Sequence, residues 1–263
     1  MADPRQRGML FVVGSGYSLA GHVTVEALNC IKSAEKVFYN FTGLAEQWLL
    51  RIHAGAESLF DLYEPGKDRD VTYSQMVDRI LSPVRTGSKV CAVFSGHPGV
   101  IAASGHEAIR RARQEGYRAR MLPGISAHDV LIADLGIDPI NGCQMFEATD
   151  FLTRKWRLDT NCPLILWQIG CIGVDDYKPY NDNWNPHGIR VLARFLSDFY
   201  SPDHNVTIYE ATPLSICDPR VQQVPISGLP DAQITLGSLL YVPPRGEPEW
   251  NSKISDLLNL QNT

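Results

Sequence analysis

A chain of 263 residues, 44% hydrophobic and 20% charged, has the balance of a globular protein and the length to bury one large core or two ordinary ones. With a net charge of −5, no long basic run and no apolar run long enough to span a bilayer, it reads as neither a nucleic-acid coat nor a membrane protein. The opening MADPRQRGML carries no apolar signal stretch, and the six cysteines (30, 91, 143, 162, 171 and 217) include no two-residue-spaced pair, so a cytoplasmic chain with reduced, core-packing cysteines and no metal site is expected.

Strand-like and helix-like segments alternate from the start. Met9 to Val13 is an apolar run that stops at Gly14-Ser15-Gly16, and a helical pattern follows over 24–34 with Val25, Leu28 and Ile31 on one face. A strand over 36–39 and a helix over 45–53 come next. Residues 63–71 are polar and turn-rich around Pro65-Gly66. Thr72 with Gln75 forms a capping-box pattern. The helix it opens would carry Met76, Val77, Ile80, Leu81 and Val84 on one face, and Pro83 should kink it or end it early. A buried strand over 90–94 runs into Gly96-His97-Pro98-Gly99, a charged helix over 106–115 stops at Gly116, and a strand over 117–122 is cut by Pro123-Gly124. This half reads as a mainly parallel α/β unit. In the second half, helices over 126–135 and 189–200 and strands over 164–168, 206–209 and 239–242 are expected. Pro123-Gly124 is the expected joint, dividing the chain into α/β domains over 1–122 and 123–245 with a tail over 246–263.

Two glycine loops follow strands. Gly14-Ser15-Gly16 invites a dinucleotide reading, but the third glycine of that fingerprint is Leu19, Gly21 comes too late, and Glu35 precedes the second strand rather than ending it. A tight turn, or a small-residue rim over a ligand cleft, fits better. Taken alone, Gly96-His97-Pro98-Gly99 is an ordinary strand-to-helix turn.

The segments VGSGYSLAGHVTVEAL, VFSGHPGV and RARMLPGISA together resemble the tetrapyrrole (precorrin) methylase superfamily, over nearly the whole chain to Pro244. Within it, FDLYEPGKDRDVTYSQM, ADLGIDP, FEATDFL and WQIGCIG resemble the borosin peptide backbone α-N-methyltransferases. The resemblance implies a two-domain α/β fold with a mainly parallel N-terminal sheet, a mixed C-terminal sheet and S-adenosylmethionine in the interdomain cleft, leaving as S-adenosylhomocysteine. It implies a homodimer, possibly a heterotetramer with two precursor peptides, with no nucleic acid or membrane partner. Carried over by position, the catalytic set is Tyr63, Arg69 and Tyr73. The cofactor set is Ser95, Gly96, His97, Val100 and Ile101, then Ser126 and Ala127, then Gln168, Tyr209, Glu210, Gly237 and Ser238.

The chemistry suits those residue types. An amide nitrogen is a poor nucleophile because its lone pair is delocalised into the carbonyl, so methylating it needs a base and a stabiliser for an imidate-like oxygen. Arg69, always cationic, would stabilise that oxygen and favour a tyrosinate; Tyr73, expected just inside a helix N-terminus, would gain from the dipole. Without the resemblance, the same residues read as a solvated turn with two packing aromatics. Two departures stand out: Ser95 replaces the tyrosine usual before the GHPG loop, and Ile101 replaces a usual aromatic residue. The tail GEPEWNSKISDLLNLQNT has no Val, Ile and Gly stretch, so a split system with a separate precursor peptide is expected. The competing readings are a precorrin-like small-molecule methylase and a catalytically weak peptide-binding homologue, the latter resting on Ser95.

Overall fold

The computed structural model describes residues 8–18, 20–179 and 182–260. Residues 1–7, read above for a signal sequence, Leu19 of the dinucleotide comparison and the last three residues of the tail lie outside the described residues. The rest fall into two compact units. The first holds the described residues within Met1–Ile137, Val174–Tyr180 and Ala211–Arg220, and the second those within Asp138–Gly173, Asn181–Glu210 and Val221–Thr263. The Pro123-Gly124 turn lies inside the first unit.

The first unit is built on β1 (Met9–Gly14), β2 (Lys36–Tyr39), β3 (Glu57–Ser58), β4 (Lys89–Phe94) and β5 (Arg118–Met121), in the order β3-β2-β4-β1-β5. Its registered pairs are all parallel. Parallel strands are buried on both faces, which is why β4 reads as an unbroken apolar run rather than an alternating one. Val90, Ala92 and Phe94 face one core with Leu10, Val12 and Phe38. Cys91 and Val93 face the other with Val13, Val37 and Tyr39. Helices α1 (Val25–Ser33) and α2 (Leu44–Ile52) supply Ala27, Ile31 and Leu49 to the second core. Helices α3 (Arg69–Arg85) and α4 (Ala103–Gln114) supply Met76, Ile80, Ala108 and Ala112 to the first. Thr24 caps α1, its hydroxyl accepting from the Ala27 amide at 3.1 Å. Ser126 caps α5 (Ala127–Leu135).

Helix α3 departs from its sequence reading at both ends. It starts a turn early, at Arg69, because Asp68 is a stronger cap than Thr72 and its carboxylate accepts from the Asp70 amide at 2.7 Å. Thr72 is then a buried helical residue whose hydroxyl donates to the Asp68 carbonyl at 3.2 Å, and Gln75 accepts from Lys67 Nζ at 2.6 Å. At the other end α3 runs two residues beyond Pro83 to Arg85.

The second unit has a mixed sheet of β6 (Gln144–Glu147), β7 (Leu164–Trp167), β8 (Asn205–Glu210), β9 (Arg220–Pro225) and β10 (Leu239–Val242), ordered β6-β7-β10-β8-β9. β6 and β7 are parallel, and β10 is antiparallel to both β7 and β8. Alongside α6 (Ala148–Thr153) and the short C-terminal α8 (Ser252–Leu257), α7 (Pro186–Ser197) lays Ile189, Leu192, Ala193 and Leu196 on the core with Leu166, Ile208 and Leu240. No helix among the described residues is long and apolar enough to cross a membrane.

The glycines of the first unit differ in what they tolerate. A Cβ on Gly14 would lie 2.1 Å from the Gly96 carbonyl oxygen, a backbone atom that cannot yield, whereas one on Gly116 meets open space and only the strain of φ +85°. Gly14→Ala is expected to lose at least about 1–3 kcal/mol by overpacking, and Gly116→Ala about 1 kcal/mol. Urea denaturation midpoints of the two variants check the order.

Candidate active site

Neighbouring strands β1 and β4 send their chains to opposite faces of the sheet. From β1 the chain enters α1 and the core of Val37 and Tyr39; from β4 it enters α4 and the core of Leu10 and Val12. Such a divergence opens a crevice at the carboxyl ends of the strands, where open α/β sheets take their ligands. The two glycine loops of the sequence meet there. Gly16 and Gly96 exchange a pair of backbone hydrogen bonds at 3.2 Å, and the Ser15 amide donates to the Phe94 carbonyl at 2.8 Å. Gly96 holds φ +68° and lies under the ring of Tyr17, whose Cε2 would be 3.0 Å from a Cβ on it. The glycines therefore serve to clip one loop to the other.

The rest of the second loop is internally braced. His97 Nδ1 accepts from the Gly99 amide at 2.9 Å, which puts a neutral ring's proton on Nε2, and the Val100 amide donates to the His97 carbonyl at 3.2 Å. His106 Nε2 lies 2.8 Å from the Gly99 carbonyl. Ile101 follows with φ +52° and its side chain 48% exposed. A β-branched residue in that region is a genuine outlier, held only because its surroundings over-determine it, and strain of this kind collects at ligand sites. Ser126, buried, forms a full capping box: its amide and hydroxyl both donate to Asp129 Oδ2 at 2.7 Å, and its hydroxyl accepts from the Asp129 amide at 3.3 Å. Burial opposes ionisation of the Asp129 carboxyl, yet the Ser126 hydrogen bonds hold it below its ordinary value. Ala127 is buried in the first turn of α5, and Ser95 is exposed at the end of β4.

In the second unit the remaining predicted cofactor residues also gather. Gln168 ends β7 in a left-handed conformation, φ +57°. Its turn is pressed so closely on another loop that a Cβ on Gly170 would lie 2.2 Å from the Thr235 carbonyl oxygen. Thr235 then organises the cluster. Its hydroxyl donates to Glu210 Oε1 at 2.9 Å and accepts from the Gly237 amide at 3.1 Å, while its amide donates to Ser238 Oγ at 2.9 Å. Ser238 Oγ donates in turn to Glu210 Oε1. Tyr209 is completely buried in β8 opposite Leu239.

The predicted catalytic residues come together in the first unit. A 3-10 turn over Phe60–Leu62 delivers Tyr63, and α3 presents Arg69 and Tyr73. The rings of Tyr63 and Tyr73 meet edge to face, centroids 6.5 Å apart, and both pack on the α3–α4 core. Burial pushes the Tyr63 phenol well above its ordinary value. Tyr73, as neighbour and hydrogen-bond partner, adds to this, and Arg69 opposes it. Tyr63 is therefore a neutral phenol through the working pH range, not a tyrosinate. The dipole expected to act on Tyr73 is also corrected: with α3 starting at Arg69, Tyr73 lies beyond the first turn, where that effect has faded.

Three residues escaped the sequence reading. Tyr177 stacks on Tyr63 at 4.9 Å and meets Phe60 edge-on at 6.2 Å. Its segment pairs with the loop that leads from Tyr63 to Arg69: Gly66 N donates to the Tyr177 carbonyl at 3.0 Å, Tyr177 N to the Lys67 carbonyl at 3.0 Å and Arg69 N to the Asp175 carbonyl at 3.0 Å. Arg69 Nη2 donates to the Val174 carbonyl at 2.6 Å, which fixes the plane of its fork. Thr235 and Tyr17 are the others, each more than 20 residues or a loop away from the groups it organises; no motif marks them.

Residues 9–165 match the model of the Tetrapyrrole (Corrin/Porphyrin) Methylases. The chain is 40% identical over 257 residues to the methyltransferase/ribosomally synthesized cyclic peptide dendrothelin A precursor of Dendrothele bispora, covering 95% of this chain and 61% of that protein. It is 42% identical over 247 residues to the corresponding gymnopeptides precursor of Gymnopus fusipes, covering 92% and 58%. It thus spans about six-tenths of the length of these curated relatives. The crystal structure of uroporphyrin-III-C-methyltransferase from Thermus thermophilus superposes with a TM-score of 0.64 at 18% identity, covering 90% of this chain and 94% of that one, a likeness of fold. On the family match and the fold together, this chain belongs to the tetrapyrrole (corrin/porphyrin) methylase family.

Proposed function

We propose that this protein is an S-adenosylmethionine-dependent methyltransferase that methylates backbone amide nitrogens of a ribosomally made peptide, supplied as a separate chain, and works as a homodimer in the cytoplasm. The observation that carries the reading is the union of Tyr63, Tyr73 and Arg69 in one braced cluster, in a chain about 40% identical to proteins named as methyltransferase/cyclic peptide precursors. The dimer rests on the family resemblance, whereas the relatives' names join methyltransferase and precursor in one protein, so a peptide supplied in trans is tested directly below.

The residues assigned to the methyl donor fit it. Their one formally charged side chain is Glu210, an anion, and no lysine or arginine stands among them. That set suits a sulfonium cation and offers no cationic side chain to the phosphates of a dinucleotide. The family resemblance assigns Gly96, Ile101, Ser126, Ala127, Gln168, Glu210, Gly237 and Ser238 to holding it. When bound, S-adenosylmethionine supplies an electrophilic methyl group.

The chain's own residues do the rest. Arg69, its fork oriented by the Val174 carbonyl, stabilises negative charge on the amide oxygen as the nitrogen loses its proton. Tyr63, kept neutral by burial, donates a hydrogen bond to the same oxygen. Tyr73, in contact with Tyr63, would relay the amide proton: its hydroxyl oxygen takes that proton as its own passes to solvent water, while the amide nitrogen takes the methyl group and the donor leaves as its neutral thioether. Tyr177 and Phe60 hold the Tyr63 ring from its other sides.

The assay supplies a synthetic peptide rich in valine, isoleucine and glycine in trans with the methyl donor. Intact mass should rise in steps of one methyl group, with fragments placing each on a backbone nitrogen; methyl groups on side chains or on none overturn the reading. Light scattering should give twice the mass of the chain. Arg69→Lys keeps the charge and loses the fork, so the rate should fall about 100- to 1,000-fold with donor affinity unchanged. Tyr73→Phe should also be slow, and the two losses less than additive. A fully active Arg69→Ala protein would sink the mechanism.

Tyr63 also carries a stability prediction. Its folded value is raised, so its contribution is complete below the unfolded phenol value of about 10 and is lost as pH rises from there toward the folded value. Tyr63→Phe cannot ionise. Its urea midpoint should fall less steeply than that of the wild type above about pH 10.

A further inference from the structure

A cavity of about 340 Å³ opens within the first unit at the carboxyl ends of β1, β2 and β4, on the α2 side of the clipped loops. Its walls are Tyr17 from the first loop, Phe41 beyond β2, Leu44, Ala45 and Trp48 from α2, and Leu214 from the segment over 211–220. None of its lining residues carries a charge. Burial raises the Tyr17 phenol above its ordinary value, which keeps that group neutral as well. Leu44, in the first turn of α2, is 51% exposed.

The cavity is not the site already described. Of the predicted cofactor residues only Ser95 borders it, and none of Tyr63, Arg69 and Tyr73 does. Its helix packs with the core of Tyr39 and Val93, whereas Tyr63 and Tyr73 pack with the core on the other face of the sheet. The loops that bear Ser95 and Ser15 are what the two places share.

The lining decides the class of occupant. The methyl donor brings a sulfonium, an ammonium and a carboxylate, and no wall residue carries a charge to pair with any of them. Buried charges without partners are excluded on energetic grounds. Three aromatic side chains and two leucines favour an apolar group. The volume is at the small end for a ligand pocket and suits a side chain or two rather than a macrocycle.

We propose that this cavity is a side-chain subsite for the peptide, taking an uncharged apolar side chain of valine, isoleucine or leucine size beside the shared loops. The proposal rests on the peptide reading above and deepens it. Ser95, at the end of β4, borders the cavity with a small side chain.

The test uses the full chain and calorimetry with two synthetic peptides, one carrying valine and isoleucine and the other alanine and glycine at the same positions. Ala45→Leu narrows the cavity with a good helix former. Leu44→Asp charges its exposed mouth without touching the core. Both variants should melt like the wild type. Each should weaken the valine–isoleucine peptide by about tenfold or more, since one or two methylenes in an apolar pocket decide that much. The alanine–glycine peptide should lose little to Ala45→Leu, and donor affinity should stay within about twofold of the wild-type value, well below that loss. Unchanged affinity for the valine–isoleucine peptide, an equal loss for both peptides, or a wild type that binds neither overturns the subsite. Loss of donor affinity with peptide affinity kept would assign the cavity to the donor instead. A wild type that binds through the cavity yet adds no methyl group overturns the proposed function and leaves the subsite standing.

Discussion

The first unit depends on one contact between backbones. At the ends of β1 and β4 the chain diverges to opposite faces of the sheet, and left alone it would open a gap with unpaired amides at its floor. Gly16 and Gly96 close that floor by bonding to each other in both directions. Side chains are forbidden there, because a Cβ on Gly14 would drive into the Gly96 carbonyl and one on Gly16 would lie 2.1 Å from His22 Cβ. Backbone paired to backbone makes a rigid rim whose remaining groups face the crevice. The glycine loops of this fold thus serve first to join two strands' exits, and only through that to approach a ligand.

Each unit stores backbone strain. Ile101 beyond β4 and Gln168 beyond β7 both take left-handed backbone conformations without being glycine. One lies in each unit, each among residues assigned to the methyl donor. Strained, over-determined backbone is a common cost of presenting groups in a fixed direction. The second unit adds polar order: two hydroxyls and an amide pin Glu210 through Thr235 and Ser238, so its carboxylate is presented rather than mobile.

The aromatic cluster shows how burial redistributes chemical roles. Tyrosine beside arginine suggests a tyrosinate when only charge is considered. In the fold, Tyr63 is enclosed by Phe60, Tyr73 and Tyr177, and desolvation outweighs the pull of Arg69. Tyr63 becomes a hydrogen-bond donor. Arg69, meanwhile, donates from Nη2 to the Val174 carbonyl, a contact that ties the start of α3 to the segment bearing Tyr177.

Local pattern was enough for much of this protein. The strands over 36–39 and 239–242 lie where apolar, β-branched runs bounded by turn residues put them, and α1, α2, α5 and α7 follow from helical spacing within a few residues. The parallel first sheet was legible because its central strands β1 and β4 are almost entirely apolar, and the specific strings around Tyr63, Arg69 and Tyr73 were legible as a family resemblance. The tertiary structure decided the rest. β6 and β9 escaped notice because polar residues alternate in them at the edges of their sheet, where half of each strand faces solvent. The start of α3 went to Asp68 because two caps competed and sequence spacing does not rank them. Tyr17, Tyr177 and Thr235 act on residues that are distant along the chain or separated by a loop, so only the fold could bring them to Gly96, Tyr63 and Glu210. Whether a tyrosine is an anion or a neutral donor is likewise a property of its surroundings, because the deciding quantity is desolvation, and no residue carries that in its name.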